Sequence, residues 1–188
     1  MIDALTSMNV PWAAVEVWQV DERVAPEGNE ARNANQLREL ATLATVHPMP
    51  VTSVDLRSAT RRYGASLPER FDIVHLGLGD DGHTASWPPG DPAVRESPRS
   101  VELVGLFNGW PRMTLTRRVV NHARSRVVLT AGDTKRPIVE RWLLADPTIP
   151  ATALRRSNTW VFLDDAAAPT MPLHPAGDAA AAGSRPSA

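Results

Sequence analysis

The chain of 188 residues contains no cysteine, which excludes a disulfide framework, a thiolate metal site and a thiol nucleophile. It also has almost no net charge: 20 Lys and Arg stand against 21 Asp and Glu, leaving −1 at pH 7, and the pI is near 6.5. A nucleic-acid or membrane-surface partner therefore has no electrostatic footing. No apolar span of membrane length occurs and no charged-then-apolar leader opens the chain, so a cytoplasmic protein is expected. No internal repeat is visible. What remains is a length suited to one domain with a sizeable core.

The most informative stretch is Phe71 to Gly90, FDIVHLGLGDDGHTASWPPG. Its apolar run Ile73-Val74-His75-Leu76 is too short for a helix and rich in branched residues, which predicts a buried strand. The segment from Gly77 to Ser86 is then expected as a tight loop at the carboxyl end of a parallel strand, where open α/β sheets bind ligands. Gly77, Gly79 and Gly82 match G-x-G-x-x-G. A dinucleotide site is nevertheless rejected: Pro88 and Pro89 stop the helix that would receive a pyrophosphate, and Asp80 and Asp81 would repel it. The loop offers instead His83 beside Asp81, with hydroxyls at Thr84 and Ser86. An imidazole oriented by a carboxylate suits a general base that takes a proton from water.

Elsewhere the pattern predicts alternating secondary structure. Val15 to Val20 alternates as a strand, which places Asp21-Glu22-Arg23 at its carboxyl end. Asn33 to about Val46 presents Leu37, Leu40, Ala41 and Ala44 on one helical face, and His47, before Pro48, is expected in a loop. Val54 to Leu67 is a second helix, and His75 a core or sheet-face histidine. Asp91 to Arg99 is a Pro-containing loop, Val101 to Phe107 a strand and Asn108-Gly109 a turn. Arg112 to Thr116 predicts an edge or bent strand leading into a short helix, Arg117 to His122. Arg117, Arg118, Arg124 and Arg126 are expected as surface charge. Arg126 to Thr130 is a buried strand that turns through Gly132-Asp133-Thr134-Lys135 into a helix ending near Leu144, with Asp133 or Thr134 able to cap it. A glycine turn, a lysine and free helix amides suit an anion. Thr159 to Leu163 is the last strand. Residues 169–188 have little apolar bulk and are expected to be a disordered tail, leaving 1–168 as a single domain.

The segment GLGDDGHTAS, with a hydrophobic strand before it and a Pro-Gly turn after it, resembles the signature of the 6-phosphogluconolactonases, hydrolases of the pentose phosphate pathway. Three further blocks stand in that family's order: Val20-Asp21-Glu22-Arg23, Pro111-Arg112-Met113-Thr114-Leu115-Thr116, and Gly132-Asp133-Thr134-Lys135 at a helix start. Together they span about Trp12 to Ala168. The resemblance implies an α/β fold, a three-layer α/β/α Rossmann-like arrangement with a mostly parallel sheet. It implies hydrolysis of 6-phospho-D-glucono-1,5-lactone to 6-phospho-D-gluconate, with that small sugar-phosphate lactone as partner and with no cofactor or metal. It further implies His83, Asp81 and Asp21 as catalytic residues. Arg23, Asn33, Gly79, Gly82, Thr84, Arg112 and Lys135 become substrate-binding residues, with Lys135 on the phosphate and Arg23 either on the phosphate or polarising the lactone carbonyl.

The chain departs from the family pattern in three places. Arg32-Asn33 stands where Ser-Asn is usual, and Trp87-Pro88 where Leu-Phe is common. The family's opening strand, Gly-Gly-Ser/Thr-Thr-Pro phosphate loop and helix have no counterpart before Trp12, so the fold is expected to be N-terminally truncated relative to the family. A truncated, non-catalytic sugar-phosphate binding homologue is the alternative reading. A relative of the glucosamine-6-phosphate deaminases is a further one, against which Thr84-Ala85-Ser86-Trp87 stands, because that class reads I-A-F-N-E after its D-G-H.

Overall fold

A computed structural model describes residues 2–91 and 96–170; residues 92–95 of the Pro-containing loop and the expected tail beyond Thr170 lie outside the described residues. The chain opens with helix α1 (Ile2–Thr6), strands β1 (Glu16–Trp18), β2 (Asp21–Arg23) and β3 (Thr45–His47), helix α2 (Leu56–Ser66) and strand β4 (Ile73–Leu76). It continues through β5 (Val101–Phe107) and β6 (Trp110–Leu115), helix α3 (Arg117–His122), β7 (Ser125–Thr130), helix α4 (Arg136–Leu143) and β8 (Thr159–Leu163). The result is a mixed α/β fold with two parallel sheets, β1-β3 and β4-β7-β8, and one antiparallel sheet, β2-β6-β5.

The parallel sheet follows from alternation. Val74 and Leu76 of β4 and Val128 of β7 are buried on one face, where they join Tyr63 of α2, Val120 of α3 and Ile138, Val139 and Trp142 of α4 in a single core. Each strand is short and β-branched, and each helix lays one apolar stripe against it. On the other face, Ile73, Leu129, Trp160 and Phe162 are exposed. The antiparallel sheet is built on the hairpin β5–β6, whose turn at Asn108 and Gly109 takes φ of 48° and 83°. Two successive left-handed residues are what a two-residue hairpin requires.

Several elements differ from the sequence expectation, each for a physical reason. Asp21-Glu22-Arg23 is not the end of the preceding strand but a strand of its own, antiparallel to β6. The chain crosses between the sheets at buried Gln19, whose amide donates to Glu22 at 3.0 Å and accepts from the Met49 N–H at 2.7 Å. The helix expected over 33–46 is absent. Two 3-10 turns, Asn33–Leu37 and Leu40–Thr42, stand in its place, the first opening with the Asn33 and Ala34 N–H groups donating to the Glu22 carboxylate at 2.7 and 2.8 Å. Its last residues join β3, so His47 is a strand residue paired with Trp18 and stacked on it, with ring centroids 3.8 Å apart.

β6 is not an edge strand but the centre of its sheet, with Met113, Thr114 and Leu115 fully buried. Neither Asp133 nor Thr134 caps α4; a 3-10 turn, Asp133–Lys135, precedes it, and the Gly132 N–H donates to the Asp164 carboxylate. Arg126 is not surface charge. It lies on the inward register of β7, 1% exposed, and its guanidinium donates to Thr159 Oγ1 and to the carbonyls of Asn121, Ala123, Ser157 and Asn158. All five donors are thus used to tie the start of β7 to α3 and to the approach to β8.

The loop after β4 is anchored from below by Trp87. This indole is 1% exposed, and its Nε1–H donates to the Leu115 carbonyl at 2.8 Å, which pins the parallel sheet's loop to the centre of the antiparallel sheet. Trp87→Ala is expected to lower the free energy of unfolding by about 3–5 kcal/mol, measured by urea titration. A loss below ~1 kcal/mol would show that packing beneath the loop does not hold it.

Candidate active site

The segment after β4 closes on itself through its own backbone. The Gly79 N–H donates to the His83 carbonyl at 2.8 Å and the Gly82 N–H to the Gly79 carbonyl at 2.9 Å, while the Thr84 hydroxyl donates to the Gly77 carbonyl at 2.9 Å. Two glycines are required by space. A Cβ on Gly79 would sit 2.0 Å from His83 Nδ1, and one on Gly82, at φ +81°, would sit 2.3 Å from Ile149 Cγ2. The imidazole therefore rests directly on the Gly79 backbone.

Asp81 grips that imidazole. Its Oδ1 accepts from the His83 backbone N–H at 3.0 Å and lies 2.5 Å from Nδ1. A carboxylate against Nδ1 assigns the proton to that nitrogen and leaves Nε2 as the basic atom. Partial burial pushes the Asp81 carboxyl up, but the hydrogen bonds and charge of His83 outweigh it and hold its pKa below the ordinary range. The ring of Phe107 meets His83 edge-on, centroids 5.0 Å apart.

Phe107 also links His83 to the cationic wall. Its carbonyl accepts from Arg112 Nε and Nη2 at 3.1 and 3.0 Å, and the guanidinium lies 5.5 Å over its ring. Burial and the nearby charge of Arg23 hold the pKa of Arg112 down, against an opposing pull from Asp21. Arg23 is fixed by its Nη1, which donates to the Ala31 carbonyl at 2.6 Å and to Asn33 Oδ1 at 2.7 Å; the Asn33 amide in turn donates to the Asp21 carbonyl at 3.1 Å. Beneath them lies Glu22, 0% exposed. It accepts the N–H groups of Arg23, Asn33 and Ala34 and the Gln19 amide, and its Oε2 lies 3.1 Å from Arg32 Nε. Burial alone would raise its pKa; these donors bring it below the ordinary value.

Asp21 is the opposite case. Its carboxylate accepts from the Ser86 hydroxyl at 2.6 Å, yet desolvation dominates the hydrogen bond and the charge of Arg112, and its pKa is raised. Lys135 reaches across from the turn after β7, its Nζ donating to Asp80 Oδ1 at 2.6 Å and to the Leu78 carbonyl at 2.9 Å.

One cleft of about 1220 Å³ gathers His83, Asp21, Arg23, Asn33, Gly79, Arg112 and Lys135. Asp81 holds the imidazole without itself lining the cleft. Gly82 and Thr84 are buried in the loop and do not line it either; the Thr84 hydroxyl is occupied by Gly77. Sequence reasoning missed four contributors. Asp80 is the ion-pair partner of Lys135, Ser86 donates a hydrogen bond to Asp21, Glu22 holds the Arg23 loop, and Phe107 bridges His83 to Arg112. Ser86 and Glu22 stood inside motifs already singled out, but nothing in the sequence signalled Phe107. Among the described residues no group of three or more His, Asp or Glu is placed to hold a metal ion.

The family model described as "Glucosamine-6-phosphate isomerases/6-phosphogluconolactonase" matches residues 1–163. The chain belongs to this family. It is 36% identical to the 6-phosphogluconolactonase of Synechocystis over 72% of its own length and 62% of that relative's. Against the 6-phosphogluconolactonase of Streptomyces coelicolor it is 33% identical over 87% of its length and 72% of the relative's. The chain thus spans about two thirds of the length of these two curated relatives. A crystal structure of 6-phosphogluconolactonase from Thermotoga maritima superposes with a TM-score of 0.76 at 25% identity, covering 86% of this chain and 78% of that one.

In this chain of the 6-phosphogluconolactonase family, Asp21 makes stability depend on pH in an unusual direction. An acid whose pKa is higher folded than unfolded contributes stability that is complete below its unfolded pKa and is lost as pH rises through the folded one. Near neutral pH the ionised carboxylate is therefore a cost, and Asp21→Asn removes it while keeping an acceptor for Ser86. The variant is expected to unfold at urea concentrations equal to or above those of the parent near pH 7, with any gain disappearing below about pH 4. A destabilised variant at neutral pH would show instead that attraction to Arg112 and Arg23 outweighs desolvation.

Proposed function

We propose that the chain hydrolyses 6-phospho-D-glucono-1,5-lactone to 6-phospho-D-gluconate, a step of the oxidative pentose phosphate pathway. The observation that carries this reading is His83, fixed by Asp81 through Nδ1 at 2.5 Å, on the wall of a cleft shared with Arg23, Arg112 and Lys135. Its family membership and its likeness to 6-phosphogluconolactonases support the same substrate.

In the proposed mechanism, His83 Nε2 takes a proton from water as the oxygen attacks the lactone carbonyl carbon. The carbonyl electrons move onto oxygen, where a guanidinium of Arg23 or Arg112 stabilises the tetrahedral oxyanion. Collapse breaks the bond to the ring oxygen, which leaves as the C5 hydroxyl after taking the proton back from the imidazolium. Asp81 keeps the imidazole in one tautomer and stabilises its charged form. Lys135 binds the phosphate, Asp80 holding the ammonium in place until a dianion competes for it. Asp21 sets the two guanidinia by its charge and carries Ser86. Gly79, Gly82, Thr84 and Asn33 act by shaping the loop and fixing Arg23. A lactone is already an activated ester, so no metal or cofactor enters this route.

Residues 1–168 are proposed to work as one domain, a reading supported by a continuous core running from Met49 to Leu154. A cytoplasmic setting belongs to the same proposal, supported by the cysteine-free composition. Among the described residues no helix is long and apolar enough to cross a membrane.

Lactone hydrolysis, corrected for the uncatalysed rate, tests the assignment. His83→Ala is expected to lower kcat/KM by roughly 10²–10⁴-fold, and the parent should turn the lactone over well above the uncatalysed rate. Lys135→Ala should act mainly on KM. A parent without turnover that still binds 6-phosphogluconate would make the chain a binding protein, and ammonia released from glucosamine 6-phosphate would make it a deaminase.

Gly79→Ala provides an independent check. Its methyl group claims the space of the imidazole, so turnover should drop about as far as in His83→Ala while the urea midpoint moves by much less than in Trp87→Ala. Full activity in Gly79→Ala would show that the imidazole works from another position.

A further inference from the structure

A second cluster of cations lies at the opposite end of the parallel sheet from His83. Residues entering its three strands converge there: Arg70 and Phe71 just before β4, His122 at the end of α3 before β7, and Arg155 before β8. With Leu67 and Arg118 they line a cavity of about 700 Å³. That volume suits a small molecule rather than a macromolecular surface.

The charge in this cavity is unbalanced. Among the described residues Glu69 is the one carboxylate on its wall, against the guanidinia of Arg70, Arg118 and Arg155. Arg70 Nε donates to the His122 carbonyl at 2.9 Å and Arg118 Nη2 to Ser100 Oγ at 3.0 Å, both neutral acceptors. Among the described residues the Arg155 guanidinium has neither a hydrogen bond nor an ion pair; its backbone is engaged instead, the N–H by Asn121 Oδ1 at 2.8 Å and the carbonyl by the Thr159 hydroxyl. A fourth guanidinium adds to the field. Buried Arg126 donates to the carbonyl of Asn121, a wall residue, and all its acceptors are neutral. Arg155 and Arg70 act on it electrostatically, adding to the effect of burial in depressing its pKa.

Positive charge gathered at one cavity without matching carboxylates favours an anion, even though the three side chains are exposed. Planar guanidinium forks match the oxygens of a phosphate in pairs, and Leu67 and Phe71 give a carbon skeleton an apolar surface to lie on. We propose that this cavity is a second ligand site, at the other end of the sheet from His83 and meeting the far end of that cleft at Pro68, Arg70 and Phe71, and that it binds a small organic phosphate through Arg70, Arg118 and Arg155.

Site-resolved amide NMR of the full chain tests this, with inorganic phosphate and glucose 6-phosphate as probes at millimolar concentration. Saturable shifts at Ser100, Asn121 and Arg155 are expected with both probes, tighter with the sugar phosphate. Arg118→Gln with Arg155→Gln should weaken this binding roughly ten- to hundred-fold, while shifts at Gly79 and Lys135, which report the other cleft, persist. No saturable shift at the three amides in the parent, or an affinity unchanged by the double substitution, would overturn the site. Equal affinity for the two probes would overturn the assignment of a carbon skeleton to Leu67 and Phe71. Turnover is not the readout, so failure here is distinguishable from failure of the lactonase reading.

Discussion

The site depends on one buried carboxylate. Glu22, wholly removed from water, could not remain charged there without several donors, because an unpaired buried carboxylate costs several kcal/mol. Its donors come from three places in the chain, Gln19 before β2, its neighbour Arg23, and the Asn33 and Ala34 amides, and Arg32 adds an ion pair. Meeting that demand draws Asn33 and Ala34 over β2. The same contraction carries the Asn33 side chain to Arg23 and to the Asp21 carbonyl. A structural requirement, satisfying one charge, thereby fixes the geometry of a functional one.

The two sheets divide the residues of the proposed site between them. The parallel sheet delivers His83 from the loop after β4 and Lys135 from the turn after β7, both at carboxyl ends of strands where loops open outward. The antiparallel sheet delivers Asp21 and Arg23 from β2 and Arg112 from β6, in register as direct partners Arg23 and Arg112. Neither sheet alone forms a site. They are joined at the loop itself, through Ser86 to Asp21 and through the indole of Trp87 to Leu115, so the residues that follow His83 act as the rivet between its sheet and the cationic one.

What was legible in the sequence follows from whether the signal was local. Ile73 to Leu76, the Asn108-Gly109 turn and Thr159 to Leu163 carry their conformation in their own residues, and each lies where the pattern predicts. His83 beside Asp81 was equally local, since two residues of a tight loop must meet. The failures were tertiary. A helical stripe over 33–46 is real as a pattern, but β1 captures Thr45 and Val46 at its end. Arg126 read as surface charge because composition cannot show that it faces inward from β7 and finds five neutral acceptors. Asp80 read as a repulsive charge, whereas Lys135, distant in sequence, meets it directly.

Electrostatic cost is distributed unevenly across the cleft, and the distribution has a purpose in the proposed chemistry. Lys135 and Arg23 are already held by hydrogen bonds, so little ordering remains to be done when an anion arrives. Asp21 is different, because its burial opposes the charge that the guanidinia beside it favour. A carboxylate placed where ionisation is costly gains most from keeping those cations close, and this ties their positions to its own. Preorganised cations act most strongly where water is scarce, so the raised pKa of Asp21 and the placement of Arg23 and Arg112 beside it answer to the same partly desolvated surroundings.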